Sequence, residues 1–227
     1  MHCIKVPEAL RLPLIVLAGY LAIGSQSGYA QASLPSGTIG AQVVGRILIQ
    51  ADLTVKLYGY FTYMQGVPGP LFSGTPGENT AMLTFSADPT AATLISNGDI
   101  IQALENPVNG QFTNLTVYYN ANPSARSLAN PDDFTQGQSV ALFQSRAGAV
   151  NISASGTFQA TGALNTQTGS FFFINNQPVN IYNLVSGLTL NLFGPAPSLS
   201  TITAGLAANG NFSIPLAGTA YVALPQN

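Results

Sequence analysis

The imidazole and thiol chemistry of this chain is confined to its first three residues. His2 and Cys3 are its only histidine and cysteine, and it has no tryptophan. Beyond them nothing can relay a proton by imidazole, present a thiolate, close a disulfide or complete a Cys/His zinc site. Serine and threonine are plentiful, but a nucleophilic triad has no histidine to activate them. The chemistry left to the rest of the chain is that of carboxylates and phenols.

Seven acids follow residue 32: Asp52, Glu78, Asp88, Asp99, Glu105, Asp132 and Asp133. Glycoside hydrolysis needs only two carboxylates at a set separation, yet no spacing here singles out a pair. Asp52 precedes Lys56 by four positions on one side of an extended run, which predicts an exposed ion pair. Asp99 and Glu105 flank a short apolar run. Asn130-Pro131-Asp132-Asp133 is the densest oxygen cluster. Calcium takes about six to eight oxygens, often from such a loop, so Asp132 and Asp133 are candidate ligands. The same residues also suit an Asx or Pro-Asp turn leading into Phe134. There is no EF-hand spacing, and the glycines from Gly37 to Gly45 lack the lysine of a P-loop and the spacing of a dinucleotide fingerprint. No cofactor other than calcium is suggested.

Among the phenols, Tyr58 and Tyr60 fall on the polar side of an extended run, and Tyr118-Tyr119 places one ring on each face of another. Tyrosines among Asn and Thr can stack on sugars or form a polar protein interface. They can equally cover a sheet or fill a barrel. Asn114, Asn151 and Asn211 begin N-glycosylation acceptor triplets, which matter only in a eukaryotic host.

The elements that must carry these groups are strands. From Ile47 to Tyr63 apolar residues occupy the odd positions (Ile47, Ile49, Leu53, Val55, Leu57, Phe61), and polar ones recur at even positions (Gln50, Asp52, Thr54, Lys56). A period of two is strand geometry, and a run this long must bend strongly or break in two. Similar alternation returns around Leu115–Tyr119, Val150–Phe158, Leu184–Leu192 and Phe212–Leu224. Asn97-Gly98, Asn109-Gly110 and Asn209-Gly210 suit two-residue hairpin turns; the last would join a strand Ile202–Ala207 to the one beginning at Phe212. Long Pro/Gly-rich loops are expected over 66–77, 120–138 and 194–197.

Residues 1–32 read as a secretory leader: Lys5 and Arg11, an apolar stretch from Leu12 to Ile23, and small residues permitting cleavage after Ala30 or Ala32. Residues 33–227 then form one domain, exported to the periplasm, the cell surface or the medium. No later segment could cross a bilayer as a helix. Four basic residues survive against the seven acids, a formal net charge of −3 with no basic run, which excludes a nucleic-acid footprint. Only 6% of the whole chain is charged while 46% is hydrophobic, against roughly 25% charged in ordinary globular proteins. The solvent face must therefore be Asn, Gln, Ser, Thr, Tyr and Gly. With few lysines to guard sheet edges, the sheet must close, be covered or self-associate.

These features predict an all-β domain, a single antiparallel β-barrel or barrel-like sandwich of about eight to ten strands. In length and strand pattern it resembles the small barrels of the allene oxide cyclase and dirigent kind. Lipocalins and avidins share the barrel idea but rest on tryptophans that this chain lacks. The function expected first is non-catalytic: binding or surface association through a neutral Asn/Thr/Tyr face, with glycan, matrix, a small apolar ligand or copies of itself as partners. An enzyme using carboxylates or tyrosine, or shaping a ligand in an apolar cavity as a cyclase does, is the alternative. A small outer-membrane barrel is a third reading, although the chain ends Leu224-Pro225-Gln226-Asn227 and not on an aromatic residue.

Overall fold

The computed structural model describes residues 31–97, 100–105, 113–208 and 210–225, with side chains left aside at 90–97, 100–105 and 199. The expected leader up to Ala30, Gly98-Asp99 and Asn109-Gly110 lie outside the described residues.

Twelve strands are described: β1 (Ile39–Ile49), β2 (Thr54–Met64), β3 (Leu83–Ala87), β4 (Thr90–Asn97), β5 (Ile100–Glu105), β6 (Asn114–Tyr119), β7 (Gln138–Ser153), β8 (Thr157–Gly169), β9 (Phe172–Ile174), β10 (Gln177–Val179), β11 (Gly187–Pro195) and β12 (Phe212–Ala223). Every pairing is antiparallel. Eight strands close a barrel in the order β1, β12, β11, β8, β7, β5, β4, β2 and back to β1. Closure removes the edges that a charge-poor chain could not protect.

The long alternating run breaks in two at residues 50–53. Leu53 takes a positive φ of 66°, its N–H bonds to the Gln50 carbonyl, and Asp52 Oδ1 accepts from the Thr54 N–H at 2.9 Å. Ile49 pairs with Val55 and Ile47 with Leu57, so residues of like parity face each other and the apolar side stays continuous through the turn. That side points inward. Ile47, Val55, Phe61, Val117, Phe143, Phe158, Leu188, Leu192, Ile214 and Val222 are all buried, each contributing about 1.5–3 kcal/mol if the larger ones bury fully. Such a core can hold the fold without disulfides. Gln42, Gln159, Thr161, Thr189, Asn191 and Thr219 occupy the opposite, outer positions. Transmembrane barrels have the reverse arrangement, with lipid-facing apolar residues and a polar lumen. No described helix is long and apolar enough to cross a membrane.

Between β2 and β7 the wall is built twice. Tyr58–Tyr60 of β2 pair with β3, and Thr54-Val55 pair with β4. On β7, Gln138–Gln144 pair with β6, whereas Ala149–Ser153 pair with β5. Asp88-Pro89 separates β3 from β4. The two strand pairs, β3–β6 and β4–β5, therefore diverge and leave a split in the wall. Proline supplies no N–H to a ladder, which suits it to this break.

β4 and β5 pair as far as Asn97 and Ile100; the Asn97-Gly98 turn expected between them falls on Gly98, outside the described residues. One sequence expectation is corrected. Ile202–Ala207 is not a strand; it belongs to a helix, Leu199–Ala207, capped by Ser198, whose hydroxyl accepts from the Thr201 N–H. Pro195 and Pro197 precede that cap, and Ile202 and Leu206, four apart, turn one face to the core. Gly210 then closes the helix end through its N–H to the Gly205 carbonyl.

The opposite end of the barrel is plugged. The β9–β10 hairpin turns on Asn175-Asn176, both at positive φ (50° and 60°), and buries Phe172, Ile174 and Val179. A single helical turn, Ile181–Leu184, follows. Asn180 caps it by accepting from the Tyr182 N–H at 3.0 Å, and Ile181 and Leu184 drop into the barrel mouth.

Candidate functional site

The four tyrosines do not form one open face. Tyr58 is 1% exposed. The loop 120–137 lies over its ring, which packs 5.5 Å from that of Phe134 while its hydroxyl donates to the Leu128 carbonyl at 2.9 Å. Burial raises its pKa, and the nearby Ser213 hydroxyl and the Arg46 charge oppose that rise. Tyr60 packs edge-on to Phe72, and burial, then the Glu78 charge, raise its pKa. Tyr119 stacks 4.8 Å from Phe172 and donates to the Phe173 carbonyl at 2.6 Å. Register puts Tyr60, Thr84 and Tyr118 side by side across β2, β3 and β6. These rings serve mainly as packing for the outer loops; Tyr58 in particular is not a free contact residue, because Phe134 and Leu128 cover it.

The carboxylates are dispersed. Lys56 pairs with Asp132 at 3.1 Å, not with Asp52 as the spacing implied, because Asp52 is taken up by its own turn. That turn hydrogen bond holds the Asp52 carboxyl below its ordinary pKa. Asp133 faces the other way, accepting from the Ser127 N–H at 2.9 Å and from Asn130 Nδ2 at 2.8 Å. Neighbours in sequence, Asp132 and Asp133 thus serve different partners, and among the described residues no group of three His, Cys, Asp or Glu gathers around a common point. Glu78 accepts from the Leu128 N–H at 3.0 Å. From the same loop Arg126, 2% exposed, donates to the Ala81 carbonyl, while its Nε and Nη2 find no partner among the described residues. Burial lowers its pKa, and Asp133 counters that.

The concavity lies inside the barrel. Two apolar chambers share Leu57, Leu115, Leu164, Leu190 and Leu192 as walls. The upper one, a gap of only about 30 Å³, is roofed by Ile181, Leu184 and Val185. The lower one, about 120 Å³ and partly open to solvent, is bounded by Ile47, Val55, Val150 and Ala160. Glycine makes room in it. A Cβ built on Gly162 meets nothing closer than the Ala147 carbonyl at 3.7 Å, an ordinary contact. Sites for small molecules commonly have this apolar lining with a few polar groups, and the lower chamber has the bulk for a body about the size of benzene.

The polar groups of the lower chamber sit at the split in the wall. Asp88, Thr113, Asn114 and Ser145 line it there. Asn114 Nδ2 donates to Asp88 Oδ2 at 3.1 Å, and the Asp88 N–H bonds to the Asn114 carbonyl at 2.8 Å. The Ser145 N–H reaches the Thr113 carbonyl, also at 2.8 Å. Sequence reasoning weighed Asp88 only as one acid among seven and Asn114 only as a glycosylation acceptor. The usable signals were Asp88-Pro89, which interrupts a strand, and Ser145-Arg146, where the alternation of β7 slips at a bulge. Comparison with protein-family models, with curated proteins and with solved structures finds no significant match to this chain.

Proposed function

We propose that this is an exported, non-catalytic binding barrel that takes a small apolar molecule into its lumen. The observation that carries the reading is the apolar chamber inside a closed barrel, open at a polar rim. Hydrophobic transfer supplies the affinity, at roughly 25 cal/mol per Å² of apolar surface removed from water. The acids whose side chains are described are engaged with local partners, which leaves the lumen as the best-formed concavity. Benzene should bind and shift the NMR signals of residues around the lower chamber, and Gly162→Leu, which fills that chamber, should abolish the shifts while circular dichroism stays unchanged. Absence of binding by the wild-type protein, or undiminished binding by that variant, refutes the proposal.

A second reading, surface association, is favoured by one feature. Phe171, Phe173 and Tyr182, each more than half exposed, lie in the segment that plugs the barrel. Sedimentation of the wild type against a Phe171→Ser/Phe173→Ser variant tests it; identical monomeric behaviour removes it.

A further inference from the structure

We propose that the guest of the lower chamber carries a hydrogen-bond donor, a hydroxyl or an ammonium, as its polar end and seats that end at Asp88. This rests on the lumen being a binding site. The argument is one of charge placement. After residue 32 the chain has four cationic side chains, and none of them lines either chamber. Arg46 donates to Ser213 on the outer wall. Lys56 is paired with Asp132. Arg126, part of the 120–137 loop, is buried against Ala81, and Arg146, although adjacent to Ser145, lines neither chamber. A carboxylate-ended ligand would meet no counter-charge in the lumen and would face the like charge of Asp88 at its rim. Desolvating an anion without a partner is among the costliest steps in binding.

Asp88 is held in place for the opposite role. It is exposed at the mouth of the chamber, and its carboxylate and main-chain N–H are both tied to Asn114. A carboxylate offers about four acceptor positions, of which Asn114 Nδ2 takes one, so a donor arriving from the lumen completes its coordination. A hydroxyl does so neutrally, and an ammonium adds charge-assisted strength. The apolar body then lies against Leu57, Val55, Ile47 and Leu192.

Three ligands with the same phenyl body separate the end groups: benzyl alcohol, benzylamine and benzoate, titrated at neutral pH by NMR. The wild-type protein should bind benzyl alcohol and benzylamine at least about tenfold more tightly than benzoate, a gap of about 1.4 kcal/mol. Asp88→Asn keeps a side chain of the same size and should weaken benzylamine more than benzyl alcohol. Asp88→Lys should turn the order toward benzoate. Benzoate binding as tightly as benzylamine, or an order unmoved by Asp88→Lys, overturns this inference and leaves the lumen reading intact if Gly162→Leu still abolishes binding. Failure of all three ligands together with benzene overturns both, and failure of the three alone overturns this one.

Discussion

The Lys56 ammonium stands 3.1 Å from an Asp132 carboxylate oxygen, linking the outer face of β2 to the loop that covers it. Asp132 is 83% exposed, and exposed pairs typically contribute between 0 and about 1 kcal/mol. The contact that fastens this loop is instead Phe134, which is fully buried against Tyr58. Asp132→Asn should therefore cost under about 1 kcal/mol in denaturant unfolding, and Phe134→Ala about 3–5 kcal/mol. Similar losses for the two would show that the pair, not the ring, secures the loop.

Alkaline pH should weaken the fold through the same layer. Burial raises the pKa of Tyr58, Tyr60 and Tyr119 above that of free tyrosine. The folded state therefore keeps phenolic protons that the unfolded chain has lost. Stability from this source is complete below about pH 10 and declines as pH climbs through the unfolded value toward the folded ones. The loss of stability between neutral and strongly alkaline pH should be smaller in Tyr58→Phe than in the wild type, each measured against its own neutral value.

Glycines on the inner face should respond in opposite directions to a methyl group. Gly45 and Gly59 face each other across β1 and β2, and a Cβ on Gly59 would collide with the Val44 carbonyl and crowd Phe85. Gly59→Ala should destabilise by about 1–3 kcal/mol through overpacking. Gly162→Ala meets only ordinary contacts and should be neutral, or stabilising by up to about 1 kcal/mol as the chain loses a flexible position. Thermal melts of the two variants decide this, and equal destabilisation would contradict the free space drawn at Gly162.

If the leader is removed on export, the barrel needs Gln31. Its Oε1 accepts from the Asn180 N–H at 2.9 Å and its Nε2 donates to the Gly66 carbonyl at 3.1 Å, binding the plug to the loop after β2. Cleavage after Ala30 retains these bonds; cleavage after Ala32 discards them. The intact mass of the exported protein should correspond to a start at Gln31, and a start at Ser33 would contradict this.

The barrel was legible in the sequence because its signal is local. Ile47, Ile49, Val55 and Leu57 alternate with polar neighbours, and a hairpin that preserves parity leaves the alternation unbroken, which also made two strands look like one. Ile202–Ala207 was misread because Ile-Thr-Ala-Gly-Leu-Ala fits either period, and only the Ser198 cap with its flanking prolines decides for helix. The mouth of the lumen was not legible. Asp88 and Asn114 lie 26 residues apart, on strands whose divergence is a property of the closed wall. The covering of Tyr58 by Phe134 is equally non-local, since nothing near Tyr58 in the chain distinguishes an outer ring that meets water from one that meets a loop.

The ring is sealed by its earliest and latest strands. β1 lies against β12, with Ile49 opposite Phe212 and Ala41 opposite Ala220. A chain leaving the ribosome can form its hairpins one by one, but it cannot complete the cylinder until residues beyond 212 have emerged. Closing so wide a loop carries a large entropic cost, which makes such topologies slow to fold. Until that seam zips up, β1 and the growing front both present bare main-chain groups on a polypeptide with hardly any charge to keep copies apart. The waiting time before β12 arrives is therefore when this protein is most exposed to aggregation, and a holding chaperone would be of greatest use to it then.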